Sequence, residues 1–265
     1  MSFTENKGVR LSWQERGDGS PVLLIMGHRF SGALWYPLLP ALTARHRVIW
    51  FDNRGTGDSD TTPHVTVQEL ADDALAVMDA AQVERAHVFC VSMGGVIALE
   101  LAMRAPARAT SLILGCTGII TPDKPRMPGF LRVLYYLPTW ILRLLVSKGS
   151  VNKGYGSAAS PEKIALDLSM IAKDKYSVRG VIAQAEAVSR YNTTREAVAA
   201  LAMPALVLHG DEDQLVPLSY GAELAETLPH SRFVKLQGAG HNFLVARGET
   251  ATQEVLDFLD GVDRR

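Results

Sequence analysis

The stretch His87-Val-Phe-Cys-Val-Ser-Met-Gly-Gly95 carries the strongest chemical signal in the 265-residue chain. A buried-strand pattern runs into Ser92, and a helix pattern starts directly behind it. The residues two before and two after the serine, Cys90 and Gly94, are small. A serine on a sharp strand-to-helix turn needs small neighbours, because two backbones crowd there while the turn lifts Oγ clear of the sheet. The helix start also aims backbone N–H groups at the same point, which favours an anion there. A plain capping role would explain the serine but not the small residues on both sides. A serine hydroxyl is a poor nucleophile at neutral pH. It needs a histidine to take its proton and a buried carboxylate to fix the imidazole tautomer and stabilise the imidazolium.

The elements that must position these groups follow from periodicity. Val9–Arg16 alternates like a half-exposed strand, while Val22–Met26, Arg47–Phe51, His87–Val91 and Ser111–Cys116 are buried runs of strand length. Ser31–Leu42 reads as a helix made irregular by Pro37 and Pro40. Leu70, Ala74, Val77, Met78 and Ala81 share one face of a helix over Val67–Ala81, and a second helix runs Met93–Arg104. Strands alternating with helices predict a mostly parallel sheet covered on both faces. The rhythm stops at about Thr121. Up to Leu201 only helical signals appear, at Phe130–Val146, Pro161–Tyr176, Val178–Arg190 and Thr194–Leu201, with a loop over Gly149–Ser160. Strands at Ala205–His209 and Arg232–Leu236 and helices at Tyr220–Leu228 and Glu249–Leu259 then resume the pattern. The organisation is one α/β core, 1–120 and 202–265, interrupted by a helical insert, 121–201.

A net charge of −1 offers no basic excess to attract nucleic acid and no acidic tail. Two cysteines, Cys90 and Cys116, sit in apolar runs as buried thiols, and no C-x-x-C is present to hold zinc. His28, His46, His64, His87, His209 and His230 have no histidine at i+4, so no helical metal pair forms. For all but His28 a solvated or hydrogen-bonded structural role is expected. Gly55-Thr-Gly57 and Gly238-Ala-Gly240 both lack the third glycine of a dinucleotide fingerprint. The polar start has no basic, apolar leader, and the apolar stretch Phe130–Val146 is broken by Arg132, Pro138 and Arg143. A cytoplasmic protein without membrane partners is the expectation.

The pattern small-x-Ser-x-Gly, with Cys90 where glycine is usual, resembles the α/β-hydrolase superfamily, and more closely its lid-bearing esterase, lactonase and C–C hydrolase branch. The resemblance covers nearly the whole chain. It implies an α/β-hydrolase fold, a mostly parallel central sheet with helices on both faces and a helical cap inserted after the sixth strand. It also implies partners in the order serine, acid, histidine. His209-Gly-Asp-Glu-Asp213 and Gly238-Ala-Gly-His241 stand at the matching strand ends, and Phe51-Asp-Asn-Arg-Gly-Thr-Gly57 looks like the family's turn after its fourth strand. The family pattern puts the acid three residues after the strand-end glycine, here Asp213 after Gly210 and before Val216-Pro217. Asp211 is the rival, with a turn role as its other reading. Asp52 precedes Ser92 and breaks the order.

The expected roles are Ser92 as nucleophile, His241 as proton carrier, Asp213 as its orienting acid, and the backbone N–H groups of His28 and Met93 as oxyanion donors. The family's usual His-Gly is replaced by Met26-Gly27-His28-Arg29, which leaves the local wall open. Arg29 could pair a substrate carboxylate or be solvated. The apolar residues of Phe130–Val146 would mostly pack, with Tyr135, Tyr136 and Trp140 as candidates to line a pocket beneath a lid. No metal or organic cofactor is implied, and the partner is a small-molecule substrate. The expected activity is serine-dependent hydrolysis of an ester, lactone or thioester of a small, largely apolar molecule. Alternatives are a cofactor-free perhydrolase or haloperoxidase, a non-hydrolytic lyase, and a receptor on the same fold.

Overall fold

The apolar runs become the middle of one eight-stranded sheet. The computed structural model describes residues 1–124 and 154–264. Its strands are β1 (Ser2–Asn6), β2 (Val9–Arg16), β3 (Pro21–Ile25), β4 (Arg47–Phe51), β5 (Ala86–Val91), β6 (Ala109–Gly115), β7 (Ala205–Gly210) and β8 (Ser231–Leu236). They are ordered β1-β2-β4-β3-β5-β6-β7-β8. The β1–β2 and β2–β4 pairs are antiparallel and all others parallel. Successive residues of the central strands point to opposite faces, so both faces are apolar. Leu23, Ile49, Val88, Leu112 and Val207 enter one core, and Val22, Val48, Phe89, Ile113 and Leu206 enter the other. The first core is covered by α2 (Val67–Ala80) and α3 (Met93–Arg104); the second by a 3₁₀ turn (Gly32–Trp35), α1 (Leu39–Thr43) and the C-terminal helix.

Two elements before β4 differ from the sequence expectation. No periodicity marks a strand before Val9, yet Ser2–Asn6 pairs along all of its length with β2. The hairpin closes through Lys7 and Gly8, both left-handed at φ 52° and 80°, the conformation a two-residue turn demands. Cross-strand pairing at a sheet edge, not a buried face, makes this strand, so hydrophobic alternation does not reveal it. The expected helix Ser31–Leu42 splits into the 3₁₀ turn and the short α1, with Pro37 between them and Pro40 near the start of α1.

Between β6 and β7 lie α4 (Pro161–Lys173), α5 (Val178–Arg190) and α6 (Arg195–Ala199). Each starts at a hydroxyl residue, Ser160, Ser177 or Thr194, whose side chain accepts a backbone N–H of the first turn. After β7 come α7 (Leu218–Thr227), α8 (Phe243–Ala246) and α9 (Gly248–Asp263). The expected helix Phe130–Val146, with Tyr135, Tyr136 and Trp140, lies outside the described residues, as does part of the loop Gly149–Ser160. No described helix is long and apolar enough to cross a membrane.

Candidate active site

Ser92 joins β5 to α3 with φ 53° and ψ −121°, a backbone geometry that costs a non-glycine residue on the order of 1–3 kcal/mol. Its N–H is tied to the Gly115 carbonyl at 2.8 Å, and its hydroxyl makes no capping bond. The small residue after the serine has a steric cause. A Cβ on Gly94 would stand 2.1 Å from the Ile25 carbonyl oxygen, so only glycine lets α3 start this close to the end of β3. Cys90 is a fully buried free thiol beneath the turn, its Sγ 3.1 Å from the Ile113 carbonyl oxygen.

The loop after β3 lies flush against this turn. A Cβ on Gly27 would come 3.2 Å from the Cβ of Ser92. The backbone N–H groups of His28 and Met93 have no acceptor among the described residues, the latter because it opens a helix. The loop is held from the insert side. The His28 ring donates through Nε2 to the Val181 carbonyl at 2.8 Å. Burial keeps this imidazole below its usual basicity; the carbonyl opposes that shift and the Arg29 charge adds to it. The Arg29 N–H donates to Gln184 Oε1 at 3.0 Å, and Gln184 Nε2 donates to the Arg54 carbonyl at 2.8 Å. Ser31 donates from both its N–H and its hydroxyl to Asp174. From below, Asp52 accepts the Gly32 N–H at 2.8 Å, which gives this strand-end carboxylate a loop-holding place.

The two aspartates after β7, Asp211 and Asp213, have different partners. His241 Nδ1 lies 2.8 Å from Asp213 Oδ2, whereas Asp211 Oδ1 accepts the N–H of Gly238, in the turn after β8, at 2.6 Å. Asp213 is the better-provisioned carboxylate. Its Oδ1 accepts the Leu215 and Val216 N–H groups at 2.8 and 2.9 Å. Burial opposes its ionisation, but the contacts of His209 and His241, and the Val216 N–H, outweigh this and hold the carboxyl well below the usual range. The contact takes up His241 Nδ1, and Nε2 has no hydrogen-bond partner among the described residues.

Sequence reasoning gave His209 only a general structural role. Its Nε2 faces two acceptors, the Val216 carbonyl at 3.0 Å and Asp213 Oδ2 at 3.4 Å, so it donates to the acid loop. Its place four residues before Asp213 was the available signal. Cys116, Asp213 and His209 bring their donor atoms within 4.8 Å of one another, the one such metal-like cluster among the described residues. Burial, with the charge of Asp213 added, pushes the Cys116 thiol far up, and His209 already spends its Nε2 proton on oxygen acceptors. That donor set suits support of a carboxylate better than ligation, which needs thiolate.

Ser92, His241, Gly27 and His28 line one cavity of about 430 Å³. Met26, Leu34, Ile171 and Phe243 give it apolar walls, and Arg29 and Asp167 are its charged lining residues. Asp167, buried on α4, accepts the Tyr36 and Tyr155 hydroxyls at 3.0 and 2.8 Å. Burial and that carboxylate together push both phenols up. The cavity opens where β3, β5, β7 and β8 end, the position expected for a ligand site on an open α/β sheet.

Sheet order, strained serine turn and the histidine–acid pair at the strand ends define a hydrolase of the α/β type. The family described as the alpha/beta hydrolase fold matches residues 20–246, and the chain belongs to it. The chain is similar along its whole length to "Putative carbamate hydrolase RutD" of Azorhizobium caulinodans, 29% identical over 272 residues that cover 100% of both proteins. It is 29% identical over 263 residues to "Putative non-heme bromoperoxidase BpoC" of Mycobacterium tuberculosis, covering 96% of this chain and 99% of that one. A thermophilic esterase from Thermogutta terrifontis superposes with a TM-score of 0.84 at 26% identity, over 98% of this chain and 97% of the other. The protein is thus an enzyme of a hydrolase family.

Proposed function

We propose that the protein is a serine hydrolase that cleaves an ester, lactone or thioester of a small molecule. Ser92 Oγ attacks the carbonyl carbon as His241 Nε2 takes its proton. Asp213 stays ionised, orients the ring and stabilises the imidazolium. The His28 and Met93 N–H groups receive the oxyanion, and His241 returns the proton to the leaving group. Water then repeats the sequence on the acyl-serine and frees the acid. The observation that carries this reading is the 2.8 Å His241–Asp213 contact, on a histidine that shares a cavity wall with the strained Ser92. The apolar walls favour a substrate with a hydrocarbon body. The insert, 121–201, acts as a lid on the core, 1–120 and 202–265, because α4 supplies Asp167 and Ile171 to the cavity.

The test is a panel of esters and lactones run beside a fluorophosphonate label. The wild type should turn over members of the panel and take the label at Ser92. Ser92→Ala should lose both while melting as the wild type does; loss of such a nucleophile costs on the order of 10⁶ in kcat. Retention of a tenth of the activity would sink the assignment. The relative named as a bromoperoxidase favours a second reading, cofactor-free perhydrolysis by the same serine. Peroxide-dependent oxidation that requires acetate and Ser92, and that exceeds ester turnover, would decide for it.

A further inference from the structure

We propose that Arg29 binds an anionic group of the substrate, a carboxylate, so that the bond cleaved at Ser92 belongs to a molecule with an apolar body and a carboxylate end. This rests on the serine-hydrolase reading and adds the substrate class. Arg29 lines the same cavity as Ser92 and His241. Among the described residues its guanidinium donates to no acceptor and pairs with no carboxylate: its one hydrogen bond is made by the backbone N–H, and Nε is buried without a partner. Five N–H donors in a rigid plane are thus left for something the described residues do not supply.

The side chain is nevertheless held in place. Its Cζ lies 4.8 Å from the ring centre of Tyr176 and 5.2 Å from that of Phe30. Contacts of this kind engage the π face of a ring and leave the in-plane N–H fork able to meet a planar oxyanion. The backbone at Arg29 is left-handed, φ 77°, a conformation an arginine adopts only when its surroundings impose it. Gln184 imposes it by accepting the Arg29 N–H. Asp174 feels the Arg29 charge but makes no ion pair with it, and the oxygens of Asp174 and of the cavity-lining Asp167 are taken up by hydroxyl and N–H donors. Asp174 takes the N–H and hydroxyl of Ser31, and Asp167 takes the hydroxyls of Tyr36 and Tyr155. A carboxylate would meet this fork through two parallel hydrogen bonds, which a neutral substrate cannot match.

The experiment compares p-nitrophenyl half-esters of short dicarboxylic acids with the same esters ending in a carboxamide, which has the same shape and no charge. Wild type should favour the acid by about 100-fold in kcat/KM at the best chain length. Arg29→Gln should bring that ratio close to one, mainly by slowing the acid substrate, and Arg29→Lys should retain part of it. Independently of turnover, the free dicarboxylate should raise the melting temperature of the wild type and not of Arg29→Gln. A wild-type ratio near one at every length, or no melting shift with the dicarboxylates, overturns the proposal. An equal loss of both substrates in Arg29→Gln also overturns it, since the guanidinium would then serve the reacting centre or the loop. Loss of fluorophosphonate labelling in the wild type would instead strike the serine-hydrolase reading, and the melting shift would still report on Arg29.

Discussion

A carboxylate and a histidine make a useful pair only when one nitrogen is held and the other left free. Asp213 meets that condition through its contact with His241 Nδ1, its two backbone donors and His209 behind it. Asp211 is two residues away and spends its carboxylate on the Gly238 N–H. Asp213→Asn should therefore cost about 10⁴ in kcat, the scale for loss of an orienting acid, and Asp211→Asn well under a hundredth of that. Steady-state kinetics on the two single variants check this, and a severe loss in Asp211→Asn alone would move the acid. His28 should behave differently from His241. Its ring is tied to the Val181 carbonyl, and the proposed oxyanion donor is its backbone N–H, which alanine keeps. His241→Ala should abolish turnover, while His28→Ala should lose about tenfold through a loosened loop. Equal losses would give the His28 ring a chemical role.

The loop after β3 and helix α5 act together. His28 and Arg29 are joined to Val181 and Gln184, and Gln184 continues to the Arg54 carbonyl of the loop after β4. One buried amide thus ties two core loops to the insert. Gln184→Leu keeps the volume near constant and removes both bonds. It leaves the Arg29 N–H without its acceptor and frees a left-handed residue next to the proposed oxyanion donor. Positioning errors of this sort cost about ten- to a hundredfold. The loss should fall on kcat for a simple acetate ester, with KM little changed, and the rate of fluorophosphonate labelling should drop in parallel. Unaltered kinetics together with a lowered melting temperature would show that the amide serves stability alone.

Across the whole molecule, buried histidines set the response to acid. His87 bridges Ser111 of β6 and Asp263 of α9, and His46 meets Ser20, which also donates to Asp263. Burial lowers the basicity of His28, His46 and His87, with the Asp263 charge opposing it at the last two. The unfolded chain, whose imidazoles titrate near pH 6.5, therefore takes up protons that the folded chain refuses. The stability these groups contribute is present above about pH 6.5 and is lost as the pH falls toward their lower folded values. The melting temperature should decline between about pH 6.5 and 5, before most carboxylates titrate. His87→Gln should flatten that decline while lowering the melting temperature at neutral pH. A wild-type melting temperature that stays level over this range would contradict the argument.

Ser92, the strand pattern and the two histidine- and acid-bearing strand ends were legible from residue order alone. Small neighbours around a serine, alternation and run length are local properties, and sterics acts on them within a few residues. The family's spacing after Gly210 favours Asp213 over Asp211; only the folded turns after β7 and β8 show what each carboxylate touches, because two carboxylates separated by one residue can point to different partners. The setting of Arg29 was further from reach. Its ring partners and its backbone acceptor come from the adjacent Phe30 and from Tyr176 and Gln184, the latter about 150 residues away in the chain. Nothing in the periodicity of either segment encodes their meeting. Only the packing of the insert over the ends of β3 and β4 brings them together, and that packing decides which side chains the cavity leaves unpaired.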